Sequence, residues 1–342
     1  MKWAIALILA LATMNLVASR VYNMGYTFDP DFGFVYHPGY TVYSSIEGNG
    51  SAHYVQHGIR RKKEWNPNEP APIIVLGDSF TEAHQVSDDE VYTDLLEQAL
   101  VKSGIHNQVL NLAYSGNSAA DYIASAPQIL SFFKPAWVVV QVMDDDFTSD
   151  AWQIGKRHFS SDASGKTLKI VSEPALENSQ SKAMFLTLKN YFPLIGFTQR
   201  RIQCFIAGMK VDAPMFCAGR ANSKNFLWDE KKNKKYPVDE EINLLKEAYG
   251  GRVTILLISR FNPNDPLTVP VSEQLIENLA RDKNISFVSS RTRYADLVVK
   301  RVAPFGFGNS GYNTGHMNRY GHQVTADVLS SEIVRLHNYD LF

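Results

Sequence analysis

The run Ile73-Ile74-Val75-Leu76-Gly77-Asp78-Ser79-Phe80-Thr81-Glu82 carries four consecutive apolar residues, mostly β-branched, directly into a Gly-Asp-Ser turn. A short apolar run of this kind predicts a strand buried on both faces, as found inside parallel sheets. An acidic, helix-compatible segment over 88–102 follows, so the unit reads as strand, tight turn and helix. A serine in that turn stands above the carboxyl end of its strand, where open α/β sheets place their ligands. The start of a helix there would also favour a developing oxyanion. Gly-Asp-Ser is equally ordinary turn chemistry, with glycine for the backbone and Asp or Ser for a cap. The tripeptide by itself therefore leaves a nucleophile and a plain turn both open.

Outward from this unit, the stretches 108–112, 136–142, 253–258 and 285–288 also read as strands. Helices are expected over 88–103, 119–133, 239–249 and 272–282, with a last one over 320–336. Strands alternating with helices call for a mostly parallel sheet covered on both faces, a three-layer αβα architecture. The segment 147–237 breaks that rhythm and is too long for a strand-to-helix connection. Its apolar stretches, 182–192 and the region around 200–209, predict a helical insertion over the carboxyl edge of the sheet. Lid, partner surface and purely structural insertion all stay open for it.

The chain has 342 residues, with 34 Lys and Arg against 35 Asp and Glu. That balance gives no electrostatic footprint for nucleic acid, and no nucleic-acid partner is expected. Short basic runs such as Arg60-Arg61-Lys62-Lys63 are expected to be solvated loops. Met1-Lys2 precedes an apolar run from Trp3 to Met14, then Asn15-Leu16-Val17-Ala18-Ser19 and Arg20. This is a signal-peptide pattern with small residues for cleavage near Ala18 or Ser19, and an uncleaved anchor is the other expectation. The run is short for a membrane span, which needs about 20 apolar residues. Residues 1–19 are thus expected to be a signal peptide or membrane anchor, and the body of the protein to be exported, periplasmic or secreted, with membrane association through this segment. Residues 20–70, rich in Tyr, Gly, Pro and Asn without helical period, read as an N-terminal extension packed on a main domain over 71–342. Cys204 and Cys217 are expected to pair, and a bridge closing so short a loop is worth roughly 3 kcal/mol in the chain-entropy view.

Three further patches fall after strands or near the end of the chain: Asn111-Leu112-Ala113-Tyr114-Ser115-Gly116-Asn117, Met143-Asp144-Asp145-Asp146-Phe147, and His316-Met317-Asn318-Arg319-Tyr320-Gly321-His322. Together with Gly77-Asp78-Ser79 their order resembles the SGNH/GDSL hydrolase superfamily. The extension, with Asp29-Pro30-Asp31-Phe32-Gly33 and Gly58-Ile59-Arg60, is similar to that of a bacterial exported branch. The resemblance covers about residues 27 to 338 and implies a flavodoxin-like SGNH-hydrolase fold. It implies Ser79 as nucleophile and His316 as its base, with backbone N–H groups of Ser79 and Gly116 forming two arms of an oxyanion hole. A serine hydroxyl needs such a base, and a developing oxyanion needs donors already in place. His322 and His84 are expected to take no part.

Two positions depart from the pattern. The family's oxyanion Asn aligns with Asp145, which as a carboxylate accepts hydrogen bonds and donates none. Protonation, favoured because neighbouring carboxylates raise each other's pKa, or a bound Mg²⁺ or Ca²⁺ would relieve that conflict, and a degenerate block is the plainest reading. The family's acid before the histidine is replaced by Asn313, which can orient an imidazole through its carbonyl but cannot stabilise an imidazolium as a carboxylate does. The resemblance therefore implies an exported serine esterase or O-acyltransferase acting on short acyl esters of a glycan or lipid, needing no organic cofactor and no resident metal. The alternative is a catalytically weak or inactive module of the same fold that binds a glycan or a protein partner. A metal-dependent phosphoesterase built on Asp144, Asp145 and Asp146 is a distant third, because successive residues leaving a strand point in different directions.

Overall fold

The computed structural model describes residues 2–21, 25–29, 32–45, 47–143, 146, 158–161, 168–171, 188, 192, 194–195, 198, 238–259 and 265–339. Helix α1 (Lys2–Val21) leads into two antiparallel pairs, β1 (Tyr26–Asp29) with β2 (Gly33–Tyr36) and β3 (Thr41–Tyr43) with β4 (Ser51–His53). The main domain then begins with β5 (Ile73–Leu76) and the single turn α2 (Ser79–Glu82), followed by α3 (Tyr92–Lys102), β6 (Val109–Asn111), α4 (Ala119–Phe133) and β7 (Trp137–Val142). A short antiparallel pair, β8 (His158–Ser161) and β9 (Leu168–Val171), precedes α5 (Val238–Ala248). The chain finishes through β10 (Val253–Leu257), α6 (Val271–Asp282), β11 (Ser286–Ser289), α7 (Arg291–Val299), β12 (Phe305–Phe307), β13 (Gly311–Met317) and α8 (Arg319–Asn338).

Five strands form one sheet in the order β11-β10-β7-β5-β6, every neighbouring pair parallel. This is a doubly wound flavodoxin-like order, in which β5 is the strand where the direction of winding reverses. The deciding run explains itself here, because successive side chains of a strand point to opposite faces. Ile73 and Val75 pack with Leu96 and Leu100 of α3 and with Leu329 and Ile333 of α8. Ile74 and Leu76 pack with Ala126 and Ile129 of α4, Ile242 of α5 and Ile276 of α6. Both faces of β5 are therefore dry, and a strand in that place must be apolar at every position.

The described part of the 147–237 insertion differs from the helical expectation in holding the β8–β9 pair, whose Phe159 packs on the core beside α4. The stretches 182–192 and 200–209 lie almost entirely outside the described residues, as do Cys204 and Cys217. In α1 the apolar side chains Trp3, Ile5, Leu7, Ile8 and Leu9 are exposed. No helix among the described residues is long and apolar enough to cross a membrane.

Half of the basic run at 60–63 departs from its reading as a solvated loop, while Lys62 and Lys63 are exposed as expected. Arg60 is only 1 % exposed and Arg61 is also buried. Arg60 donates from Nε to Asp88 Oδ1 at 3.1 Å, and from its terminal nitrogens to the backbone carbonyls of Glu82, Ala83 and Val86. Asp88 is fully buried, and its other oxygen pairs with His53 Nδ1. A guanidinium has five donors and no acceptor, so a knot of carbonyls around a carboxylate suits it where bulk water cannot reach. This pins the extension to the stretch that follows Ser79. Arg60→Met is expected to lower the free energy of unfolding by about 3–5 kcal/mol, because it removes the cation facing the buried Asp88 carboxylate and the donors to the carbonyls of Glu82, Ala83 and Val86. Urea titration followed by far-ultraviolet circular dichroism checks this, and a loss below about 1 kcal/mol would contradict it.

Candidate active site

Gly77, Asp78 and Ser79 turn sharply at the carboxyl end of β5. A Cβ on Gly77 would strike Thr81 Oγ1 and Gln141 Oε1, so only glycine fits. Asp78 caps the following turn by accepting the Phe80 N–H at 2.8 Å. Gln141, a polar residue inside the otherwise apolar β7, accepts from Asp78 N–H at 3.1 Å and from the Thr81 hydroxyl at 2.9 Å. The turn is thus fixed from beneath by a buried side chain. The helix expected over 88–103 is present as α3, starting at Tyr92, and directly behind the serine stand only the four residues of α2 and a loop. One turn adds little dipole, so any help to an oxyanion comes from individual N–H groups.

Ser79 and His316 are brought together. His316 Nε2 lies 2.9 Å from Ser79 Oγ, although 237 residues separate them in sequence. The ring also rests on Phe80, with centroids 4.9 Å apart. His316 sits near the end of β13, paired with β12 in a hairpin that sequence reasoning missed. Asn318 then caps α8 by accepting from Tyr320 and Gly321 N–H, and its amide donates to the carbonyls of Ala303 and Gly306. The His-x-Asn spacing is therefore a strand end followed by a helix cap.

Gly116 stands in the turn after β6 with φ +78°, a left-handed conformation suited to glycine. That turn is tied to α2, because Ser115 donates both its N–H, at 3.0 Å, and its hydroxyl to Glu82 Oε2. The N–H groups of Ser79 and Gly116 donate to no group among the described residues. Asp145 and Asp144 lie outside the described residues, while Asp146 accepts the Met143 N–H at 2.7 Å.

The reading of Asn313 as the partner of the imidazole is corrected. Asn313 has φ +60°, and its Oδ1 is buried without a hydrogen bond among the described residues. His316 Nδ1 lies instead 2.6 Å from Glu47 Oε2, and the His316 backbone N–H donates to Glu47 Oε1 at 2.7 Å. Glu47 belongs to the loop between β3 and β4, in the extension. A direct signal was that Glu47 is the sole acidic residue between Asp31 and Glu64.

Two other histidines lie close by. His84 Nε2 is 2.6 Å from the Tyr54 hydroxyl and 3.6 Å from Glu82. Burial pushes His84 below the usual histidine range, outweighing the opposing pull of Glu82. His322, inside α8, stacks on Tyr92 and accepts the Tyr92 N–H on Nδ1 at 3.4 Å. Its pKa is pushed down to about 3, by burial first and then by the electrostatic influence of Arg60 and His316.

The comparisons with known proteins give one direction. No family model matches the chain. Over 74 residues, 22 % of this chain, it is 31 % identical to the esterase TesA of Pseudomonas aeruginosa, and the match spans 37 % of that esterase's length. Among solved structures it is similar to the crystal structure of TesA, with 13 % identity and a TM-score of 0.42 over 78 % of this chain and 99 % of that one. It is also similar to Axe2, an acetylxylan esterase from Geobacillus stearothermophilus, with 15 % identity and a TM-score of 0.41 over 78 % and 94 % of the two chains. These neighbours are esterases.

His322 also carries a pH consequence. Its folded pKa lies below the unfolded value of about 6.5, so the unfolded chain binds the extra proton between those two values. The resulting stability is complete above about pH 6.5 and is lost as pH falls toward 3, by at most about 1.4 kcal/mol per unit. Urea unfolding at a series of pH values is expected to show this decline, and His322→Gln to flatten it between about pH 4 and 6. An equally steep decline in the variant would exclude His322 as its source.

Proposed function

We propose that the protein is a serine esterase in which Ser79 forms an acyl-enzyme and His316 moves the proton. The observation that carries this reading is the 2.9 Å contact between Ser79 Oγ and His316 Nε2 at the carboxyl edge of the sheet. The 31 % identity to the TesA esterase adds to it. In the first step His316 Nε2 takes the hydroxyl proton as Oγ bonds to the ester carbonyl carbon. The carbonyl oxygen becomes an oxyanion and receives the N–H groups of Ser79 and Gly116. When the intermediate collapses, the carbon–oxygen bond to the alcohol breaks and His316 returns its proton to that alcohol. Water, activated by the same nitrogen, then releases the acid and restores Ser79.

Short acyl esters of a glycan or lipid are the proposed substrates, and a sugar hydroxyl replacing water in the second half would make the same site an O-acyltransferase. Export through residues 1–19 belongs to the same proposal and suits a substrate outside the cytoplasm. The inactive-module alternative rested on Asn313, on Asp145 and on the long insertion, and the pairing of His316 with Glu47 weakens the first of these grounds.

The test is labelling of the purified protein with a fluorophosphonate, read by intact mass and peptide mapping, beside hydrolysis of short-chain nitrophenyl esters. A single adduct on Ser79, abolished in Ser79→Ala and slowed by at least about 10³-fold in His316→Ala, is expected. No adduct and no hydrolysis from about pH 5 to 9 would overturn the esterase reading.

A further inference from the structure

We infer that Glu47, supplied by the N-terminal extension, is the acid that positions His316, so that the site is a Glu47–His316–Ser79 triad closed between two parts of the chain far apart in sequence. This rests on the proposed esterase chemistry for its kinetic consequences, but the pairing itself stands on geometry. Both carboxylate oxygens are committed to one residue. Oε2 faces the ring at 2.6 Å and Oε1 takes the backbone N–H at 2.7 Å, which fixes the imidazole in position and in rotation together. The side chains are 20 % and 25 % exposed, so the pair is largely shielded from the water that would loosen it.

The loop that carries Glu47 is built to hold it there. Asn309, beside β12, accepts the Gly48 N–H at 2.9 Å and donates to the carbonyls of Ser45 and Gly48. On the other side, a Cβ on Gly48 would strike the Gln85 carbonyl, and one on Gly50 would strike the backbone of His84 and Val86. The loop is thus seated between the stretch after the nucleophile and the hairpin before the histidine. Gly315 completes the fit. It has φ +70°, and a Cβ there would collide with Glu47 Oε1.

The chemistry follows. A carboxylate at Nδ1 keeps the proton on that nitrogen, which leaves the Nε2 lone pair facing Ser79 Oγ, and it stabilises the imidazolium that forms when the serine proton moves. An amide at the same place does neither, since its NH₂ group can donate to Nδ1 and favour the other tautomer. Glu47 acts through His316 and is a positioning residue.

The experiment compares the full chain with Glu47→Gln, Glu47→Asp and Glu47→Ala for ester hydrolysis, Ser79 labelling and the downfield imidazole N–H proton resonance. The resonance is assigned by its loss in His316→Ala. Glu47→Gln is expected to lower kcat and the labelling rate by about 10³–10⁴-fold with KM within a few-fold, and to abolish the resonance. Glu47→Asp, whose carboxylate falls short by one methylene, is expected to retain the resonance and lose about 10–100-fold in kcat. Added formate is expected to restore part of the activity of Glu47→Ala, which a merely structural role would not allow. Wild-type rates together with an intact resonance in Glu47→Gln would overturn the inference. Should the wild type neither hydrolyse esters nor label, the esterase reading fails and the resonance still decides. Its presence in the wild type and loss in Glu47→Gln would uphold the pairing, and its absence from the wild type would overturn it.

Discussion

Arg60 takes a full positive charge into a place that is 1 % exposed, and the rest of the site depends on how that charge is accommodated. A lone buried cation is prohibitively costly, so its surroundings must supply a carboxylate and oriented carbonyls. Asp88 is the carboxylate, and the carbonyls of Glu82, Ala83 and Val86 belong to the stretch leaving Ser79. That stretch cannot relax without exposing Arg60, and the extension cannot detach without abandoning it. One side chain therefore makes the extension and the nucleophile loop a single mechanical unit.

Against that unit, the parts of the site come from four separated segments, each with its own supports. Ser79 is held from below by Gln141 and capped by Asp78, Gly116 is tied through Ser115 to Glu82, and His316 is braced by Phe80 and Glu47. Glu82 contributes at both ends, since its carbonyl receives Arg60 while its carboxylate receives Ser115. The turn bearing Gly116 is thus connected to the buried arginine through one residue. Preorganised donors assist only if they do not have to move when charge develops, and this linkage limits their movement.

Much of this architecture was legible from local pattern. The apolar runs of β5, β7 and β10 read as doubly buried strands, and their alternation with amphipathic helices pointed to the parallel sheet, with most element ends misjudged by a residue or two and the start of α3 by four. Ser79, Gly116 and His316 were singled out because short blocks around them resemble those of a known family, and the structure brings Ser79 and His316 within 2.9 Å of each other. The β12–β13 hairpin and α7 were missed, since a three-residue strand and a glycine-interrupted, mostly exposed partner carry no apolar period and α7 has polar residues on most sides. Arg60 was misread for a plainer reason. A basic run looks solvated unless its distant partners are known, and Asp88 is 28 residues away.

Glu47 marks the limit of such reading. An acid placed two or three residues before a histidine can be recognised by spacing, because the chain itself delivers it. An acid delivered from 269 residues upstream leaves no spacing to find. What remains in sequence is indirect: a glycine at 315 where a side chain would block the approach, glycines at 48 and 50 where the loop passes close to backbone, and Asn309 to hold the loop. Each is unremarkable alone and each is required by the same carboxylate. The substitution at 313 then ceases to be a lost function, because the residue before the histidine is free to change once another part of the chain fills the place beside Nδ1. The cost is that the reactive geometry depends on the extension being folded, so its ordering and the readiness of Ser79 become one equilibrium.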